Sequence, residues 1–157
     1  MKKTGRCIEG DCRNGYGTMV TDDGVKYTGH FRNATPNGEG IVSFPAGSIY
    51  RGQFADGLPH GRGTMTTADG STYTGEMAAG SPNGRGSIVF ADGRRQEGIF
   101  RDGLLHGRGR ASFPDGTVFE GSFEHGIPNG EGSMRSPDGS EVSGRWRNGE
   151  LEKKDGG

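Results

Sequence analysis

One hairpin-sized segment recurs with a period of 23 residues through almost the whole chain. At residues 37–54 it reads Gly38-x-Gly40, a short apolar run to Phe44, Pro45-Ala46-Gly47, then Tyr50-x-Gly52-x-Phe54. The Gly-x-Gly pair falls at 15/17, 38/40, 61/63, 84/86, 107/109 and 130/132. A second glycine falls at 24, 47, 70, 93, 116 and 139, and a third at 29, 52, 75, 98, 121 and 144. No insertion breaks the register. A fixed period of about 20–50 residues marks a repeat architecture, in which each unit packs only on its neighbours.

Composition agrees with such a chain and argues against a filled globule. Hydrophobic residues make up 28% of 157, and 33 glycines carry no side chain at all. With 7 prolines added, an aperiodic chain of this kind would read as disordered. Here the glycines keep phase, so the chain reads as ordered. Each period predicts one β-hairpin. Pro114-Asp115-Gly116 and Pro137-Asp138-Gly139 place a fixed φ, an Asx bond and a positive φ in order, which suits a type I turn with a G1 bulge. The other connection, as at residues 55–60, reads as a longer loop. No helix is predicted.

Strand alternation sorts the two faces. Tyr27, Gly29 and Phe31 point one way, joined across the sheet by Gly40, Val42 and Phe44. Stacked units then form three rows: Phe31, Phe54, Met77, Phe100, Phe123, Trp146; Tyr27, Tyr50, Tyr73, Gln96, Phe119, Val142; and Met19, Val42, Met65, Ile88, Ala111, Met134. Glycine between the rings lets them lie on bare backbone. The opposite face carries Arg51, Glu97, Glu120 and similar groups and reads as solvated. The expected fold is all-β: an elongated, single-layer antiparallel sheet of stacked 23-residue hairpins over residues 1–149. A degenerate unit at 1–26 opens it, clear units start at 27, 50, 73, 96 and 119, and a strand at 142–149 closes it. Residues 150–157 read as a flexible tail.

Tyr27-x-Gly29-x-Phe31, Tyr50-x-Gly52-x-Phe54 and Tyr73-x-Gly75-x-Met77, each followed by Gly-x-Gly and then Asp-Gly or Ala-Gly, resemble the MORN (membrane occupation and recognition nexus) repeat. The resemblance covers residues 5–149. Thr4 and Arg6 depart from it in the first unit, and Gln96, Phe119 and Val142 replace the tyrosine later. It implies a family associated with protein–protein contacts, assembly and positioning at membranes. The family name also suggests binding of acidic phospholipid head groups.

Catalysis needs converging groups, and a repeat spreads equivalent groups along an axis. Equivalent side chains of adjacent hairpins sit roughly 9–10 Å apart, so His60 and His106 are about 19 Å apart. They and Asn14, Asn37, Asn83 and Asn129 share one position, suited to bonding a loop backbone. The Gly-x-Gly pairs never complete a dinucleotide fingerprint and precede no helix. One Asp per turn makes a poor acid–base pair. The chain is therefore expected to be no enzyme, with no cofactor and no metal. Nineteen Lys and Arg against 20 Asp and Glu remove the basic surface that nucleic acid requires. Cys7 and Cys12 read as reduced thiols in a capping turn, with a local disulfide as the alternative. No apolar run reaches the roughly 18 residues of a membrane helix, and no signal peptide is read. A cytoplasmic location is expected, with membrane association as the variant.

Two functions remain. The first is a scaffold that holds a protein or peptide along the aromatic face, with Tyr27, Phe31, Tyr50, Phe54, Tyr73, Met77, Phe100, Phe119, Phe123 and Trp146 as contacts. Open sheet edges or faces would also allow a homodimer. The second is binding of acidic membrane lipid through Arg62, Arg85 and Arg108, which recur at one repeat position. Six arginines between 85 and 110 reinforce that stripe, although charge on an exposed strand also serves to protect it from aggregation.

Overall fold

The computed structural model describes residues 5–152. Those residues contain fourteen strands and no helix. They are β1 (Gly5–Gly10), β2 (Tyr16–Thr21), β3 (Lys26–Arg32), β4 (Thr35–Ser43), β5 (Ile49–Ala55), β6 (Leu58–Thr66), β7 (Thr72–Ala78), β8 (Ser81–Val89), β9 (Arg95–Arg101), β10 (Leu104–Ser112), β11 (Val118–Glu124), β12 (Ile127–Arg135), β13 (Glu141–Arg147) and β14 (Glu150–Leu151). They form one open sheet in which strand order follows chain order. The chain divides into two compact units, Met1–Ser81 and Pro82–Gly157. Thr4 lies outside the described residues. The expected tail is corrected in part: Glu150 and Leu151 form a strand, because they pair with Arg147 and Trp146. Residues 153–157 lie outside the description.

Two kinds of turn alternate. The first is the predicted one. In the second repeat Gly47 N–H donates to Phe44 O at 2.9 Å, and Phe44 N–H donates to Ser48 O at 2.9 Å. Phe44 thereby belongs to the turn and is exposed, so it does not join the aromatic face. The second connection is not a long loop. Ala55 pairs directly with Leu58, and Asp56 and Gly57 take φ of 51° and 84°. Two central residues with positive φ make the two-residue hairpin turn whose twist matches the strands. The apparent extra length is a bulge. Phe54 pairs with Pro59 and Gly52 with Gly63, so three residues of β6 oppose Gln53. Gly61 sits in that bulge at φ 95°.

The turn rim ties each hairpin to the one before. Gly57 N–H donates to Pro36 O and Gly80 N–H to Pro59 O in the first unit. Gly126 N–H donates to Leu105 O and Gly149 N–H to Pro128 O in the second. Three of the asparagines before Gly-x-Gly bond loop backbone. Asn14 Oδ1 accepts from Asn33 N–H at 3.0 Å, and Asn83 and Asn129 accept from Asp102 and Asn148. Cys7 and Cys12 are joined as a disulfide, so the reduced-thiol expectation is corrected. The bond closes the turn between β1 and β2, where all six residues of β1 are exposed.

Candidate partner-binding surface

The aromatic rows form the core of each unit. In β3 and β5 the residues at Tyr-x-Gly-x-Phe are buried, in alternation with neighbours that are exposed or half-buried. The bare Gly-Gly pair opposite is what makes room. Gly52 faces Gly63 across β5–β6, and a methyl group at Gly63 would collide with the Tyr50 ring. Each tyrosine hydroxyl then finds the carbonyl three residues on. Tyr27, Tyr50 and Tyr73 donate to His30 O, Gln53 O and Glu76 O at 2.7, 3.0 and 2.6 Å. Burial pushes the phenols of Tyr27 and Tyr73 up to about 12, and the Tyr50 phenol in the same direction.

Rings meet edge to face. In the first unit Tyr27 touches its own Phe31 at 5.0 Å and Phe54 of the next hairpin at 4.9 Å, and Phe54 touches Tyr50 at 5.2 Å. In the second unit Phe119 lies between Phe123 at 5.3 Å and Trp146 at 4.9 Å. Such pairs add about 0.5–1.5 kcal/mol each beyond the area they bury.

Where the aromatic residue is missing, a leucine takes its place. The residue nine positions on is Pro36, Pro59, Pro82 and Pro128 after the aromatic residues, but Leu105 after Gln96 and Leu151 after Val142. Leu105 is fully buried, with its methyls 3.0 Å from where Cβ atoms of Gly98 and Gly109 would lie. Leu151 Cδ1 lies 2.9 Å from the same place at Gly144. The sequence carried that signal in the pairing of positions, and single-position reading missed it.

The ten expected contact residues are therefore placed as follows. Tyr27, Phe31, Tyr50, Phe54, Tyr73 and Met77 in the first unit, and Phe100, Phe119, Phe123 and Trp146 in the second, are at most 5% exposed. They pack into the core of their units and expose little surface. Over them in the first unit runs a cleft of about 690 Å³. Tyr27 and Phe54 line its floor, with Met19, Val25, Pro36, Val42 and Leu58 around them and Asn33 and Asp56 among the polar groups. Leu58 is exposed, held out by the tight Asp56-Gly57 turn.

Arg62, Arg85 and Arg108 are exposed on the other face. Arg62 pairs with Glu76 across β6–β7 in the first unit. In the second unit Arg85 faces Ile99 and Arg108 faces Ser122. Carboxylates are interleaved with the neighbouring arginines: Arg95 approaches Glu97 at 3.4 Å, Arg110 approaches Glu120 at 3.6 Å, and Arg94 meets Asp92 at 2.8 Å. The hairpin-turn aspartates serve the backbone. Asp92 and Asp115 accept from Arg94 N–H and Thr117 N–H at 3.0 and 2.8 Å, and these bonds hold their carboxyl groups below the usual range. His106 lies 6.3 Å from His125. Among the described residues no group of three or more His, Cys, Asp or Glu is arranged to hold a metal ion. None of their secondary structure is a helix long and apolar enough to cross a membrane.

The MORN repeat family matches this chain at residues 27–49, 50–72, 73–94, 97–118 and 119–141. The chain belongs to the MORN repeat family. No curated protein matches it. Among solved structures it is similar to the TCP domain of SAS-4 (dCPAP) of Drosophila melanogaster, a structure in complex with a proline-rich motif of Ana2 (dSTIL). The TM-score is 0.59 at 12% identity, covering 90% of this chain and 77% of that one. A selenomethionine-substituted virginiamycin B lyase from Staphylococcus aureus also matches, at TM-score 0.26 and 11% identity over 92% of this chain and 60% of that one, too low to carry an argument.

Proposed function

We propose that this MORN repeat protein is a non-catalytic scaffold whose first unit holds an extended peptide segment of a partner protein in the cleft above the Tyr27–Phe54 row. The supporting observation is the cleft itself. It has a rigid aromatic floor, apolar walls from Met19, Val25, Val42 and Leu58, and a carboxylate at Asp56. An extended chain with apolar side chains and one basic residue matches that surface in shape and charge. The binding of a proline-rich motif by the similarly folded SAS-4 domain supports an extended chain as the occupant. The rings act through the cleft they shape, and the side chains on its walls carry the contact.

The second reading places acidic phospholipid at Arg62, Arg85 and Arg108. The carboxylates interleaved on that face weaken it. Both readings face one experiment. A displayed library of short peptides is selected on the full chain, and the best binder is titrated calorimetrically. Leu58→Glu with Met19→Glu should weaken it at least tenfold, and Arg85→Glu with Arg108→Glu should leave it within twofold. Flotation with phosphatidylserine vesicles forms the second arm. Vesicle binding that falls with salt and with the arginine changes, beside a peptide indifferent to Leu58 and Met19, would overturn the proposal.

A further inference from the structure

Two histidines meet on the turn rim of the second unit, where other repeats carry an asparagine and a backbone bond. The residue before Gly-x-Gly addresses the turn 19 positions on. Asn83 accepts there from Asp102 N–H, and Asn129 from Asn148 N–H. His106 holds that position in its own repeat, and the residue 19 positions on is His125. Gly107 pairs with Phe123, which sets His106 of β10 beside the end of β11 and the turn that follows it. His125 takes φ of 52° in that turn, as Asn148 does in the next one. The two ring centroids lie 6.3 Å apart at an interplanar angle of 59°. His60 recurs at the His106 position, but its turn residue is Ala79, so the pair forms once.

His106 is half-buried and His125 exposed. Among the described residues no hydrogen bond or ion pair engages either imidazole. The rings line a cleft of about 400 Å³ with Arg101, Asp102, Leu104 and Glu124. Its two carboxylates outnumber its one guanidinium, which favours a cation there. Glu124 Oε2 already accepts from Asn129 Nδ2 at 2.8 Å, so it acts as a nearby charge. A zinc ion bound at its usual Zn–N distance sits about 3.2 Å from the centroid of each ligating imidazole. Two rings on one ion then have centroids roughly 5–6.5 Å apart, from a tetrahedral to a straight N–Zn–N angle. The spacing of His106 and His125 falls in that range. Zinc has no d-electron geometric preference and suits imidazole. We propose that His106 and His125 bind one zinc ion, with water in its remaining positions. No third His, Cys, Asp or Glu among the described residues is arranged to join them. The ion ties the start of β10 to the following turn, as an asparagine side chain does in three other repeats. This site is independent of the peptide cleft.

Zinc chloride alone is the probe, titrated into the full chain with its disulfide intact, and the imidazole nitrogens are followed by NMR. His106 and His125 should shift together and saturate at one ion per chain, while His30 and His60 hold still. Magnesium should move none of them. His125→Asn should weaken the His106 response at least tenfold, and His106→Asn should do the same at His125. Both variants place asparagine where other repeats carry it, and asparagine tolerates the positive φ of the turn, so folding is retained. His60→Asn should leave the response unchanged. Equal shifts at all four histidines, a His106 response that survives His125→Asn, or no saturation up to millimolar zinc would overturn the proposal.

Discussion

A methyl group added at Gly63 would land on the Tyr50 ring, and this collision explains more of the sequence than any polar contact. Overpacking a filled site costs about 1–3 kcal/mol. Gly63→Ala should therefore lower the free energy of unfolding by an amount in that range, read as a lower denaturant midpoint at unchanged slope. An unchanged midpoint would mean that the ring is not held against the backbone. The buried phenols make the alkaline limb informative. Their folded pKa, about 12 for Tyr27 and Tyr73, exceeds the value near 10 of an unfolded tyrosine. The associated stability is fully present below about pH 10 and is lost as pH rises toward 12. Phenolate absorbance should show two tyrosines ionising only near pH 12 or together with unfolding. The turn aspartates act with the opposite sign. Asp92 and Asp115 titrate below the unfolded value, so their contribution is present above the usual carboxylate range and is lost as pH falls through it. Asp115→Asn should flatten the acid limb of a thermal-midpoint profile.

The hairpin is the unit in which compensation occurs. Leu105 fills the slot that Gln96 leaves, and truncating a buried leucine costs about 2–5 kcal/mol. Leu105→Ala should fall in that range. Leu105→Pro should also destabilise, whereas Gln96→Tyr with Leu105→Pro rebuilds the pattern of Tyr50 with Pro59 and should recover most of the loss. Additive single effects in that double-mutant cycle would contradict the compensation. At the first hairpin all six residues of β1 are exposed, so the strand depends on its ladder and on Cys7–Cys12. Reduction should speed amide exchange in residues 5–10 and leave β5 and β6 unchanged. Strand phase, turn glycines and the aromatic rows were legible because each is a single-position signal repeated every 23 residues. Two features were less so. The type I′ turns were hidden by the bulge at Gly61, which made Asp56-Gly57 look like part of a longer loop. The burial of the rings was hidden because a sheet with one face suggests an exposed one. Edge-to-face packing between hairpins, as between Tyr27 and Phe54, closes that face without a second layer.

For the molecule as a whole, the charges nearly balance, with a net of −1, so no long-range field selects its partner. The proposed recognition then rests on local shape, in the cleft of the first unit. The cleft is the central claim, and methionine methyl groups report on it directly. Met19 lies in its wall, Met77 is buried in the core of the same unit, and Met134 lies in the second unit. With methyl-labelled methionine and the selected peptide, the Met19 resonance should shift saturably while Met77 and Met134 hold still. A bound peptide that moves Met134 and leaves Met19 unmoved would contradict the account.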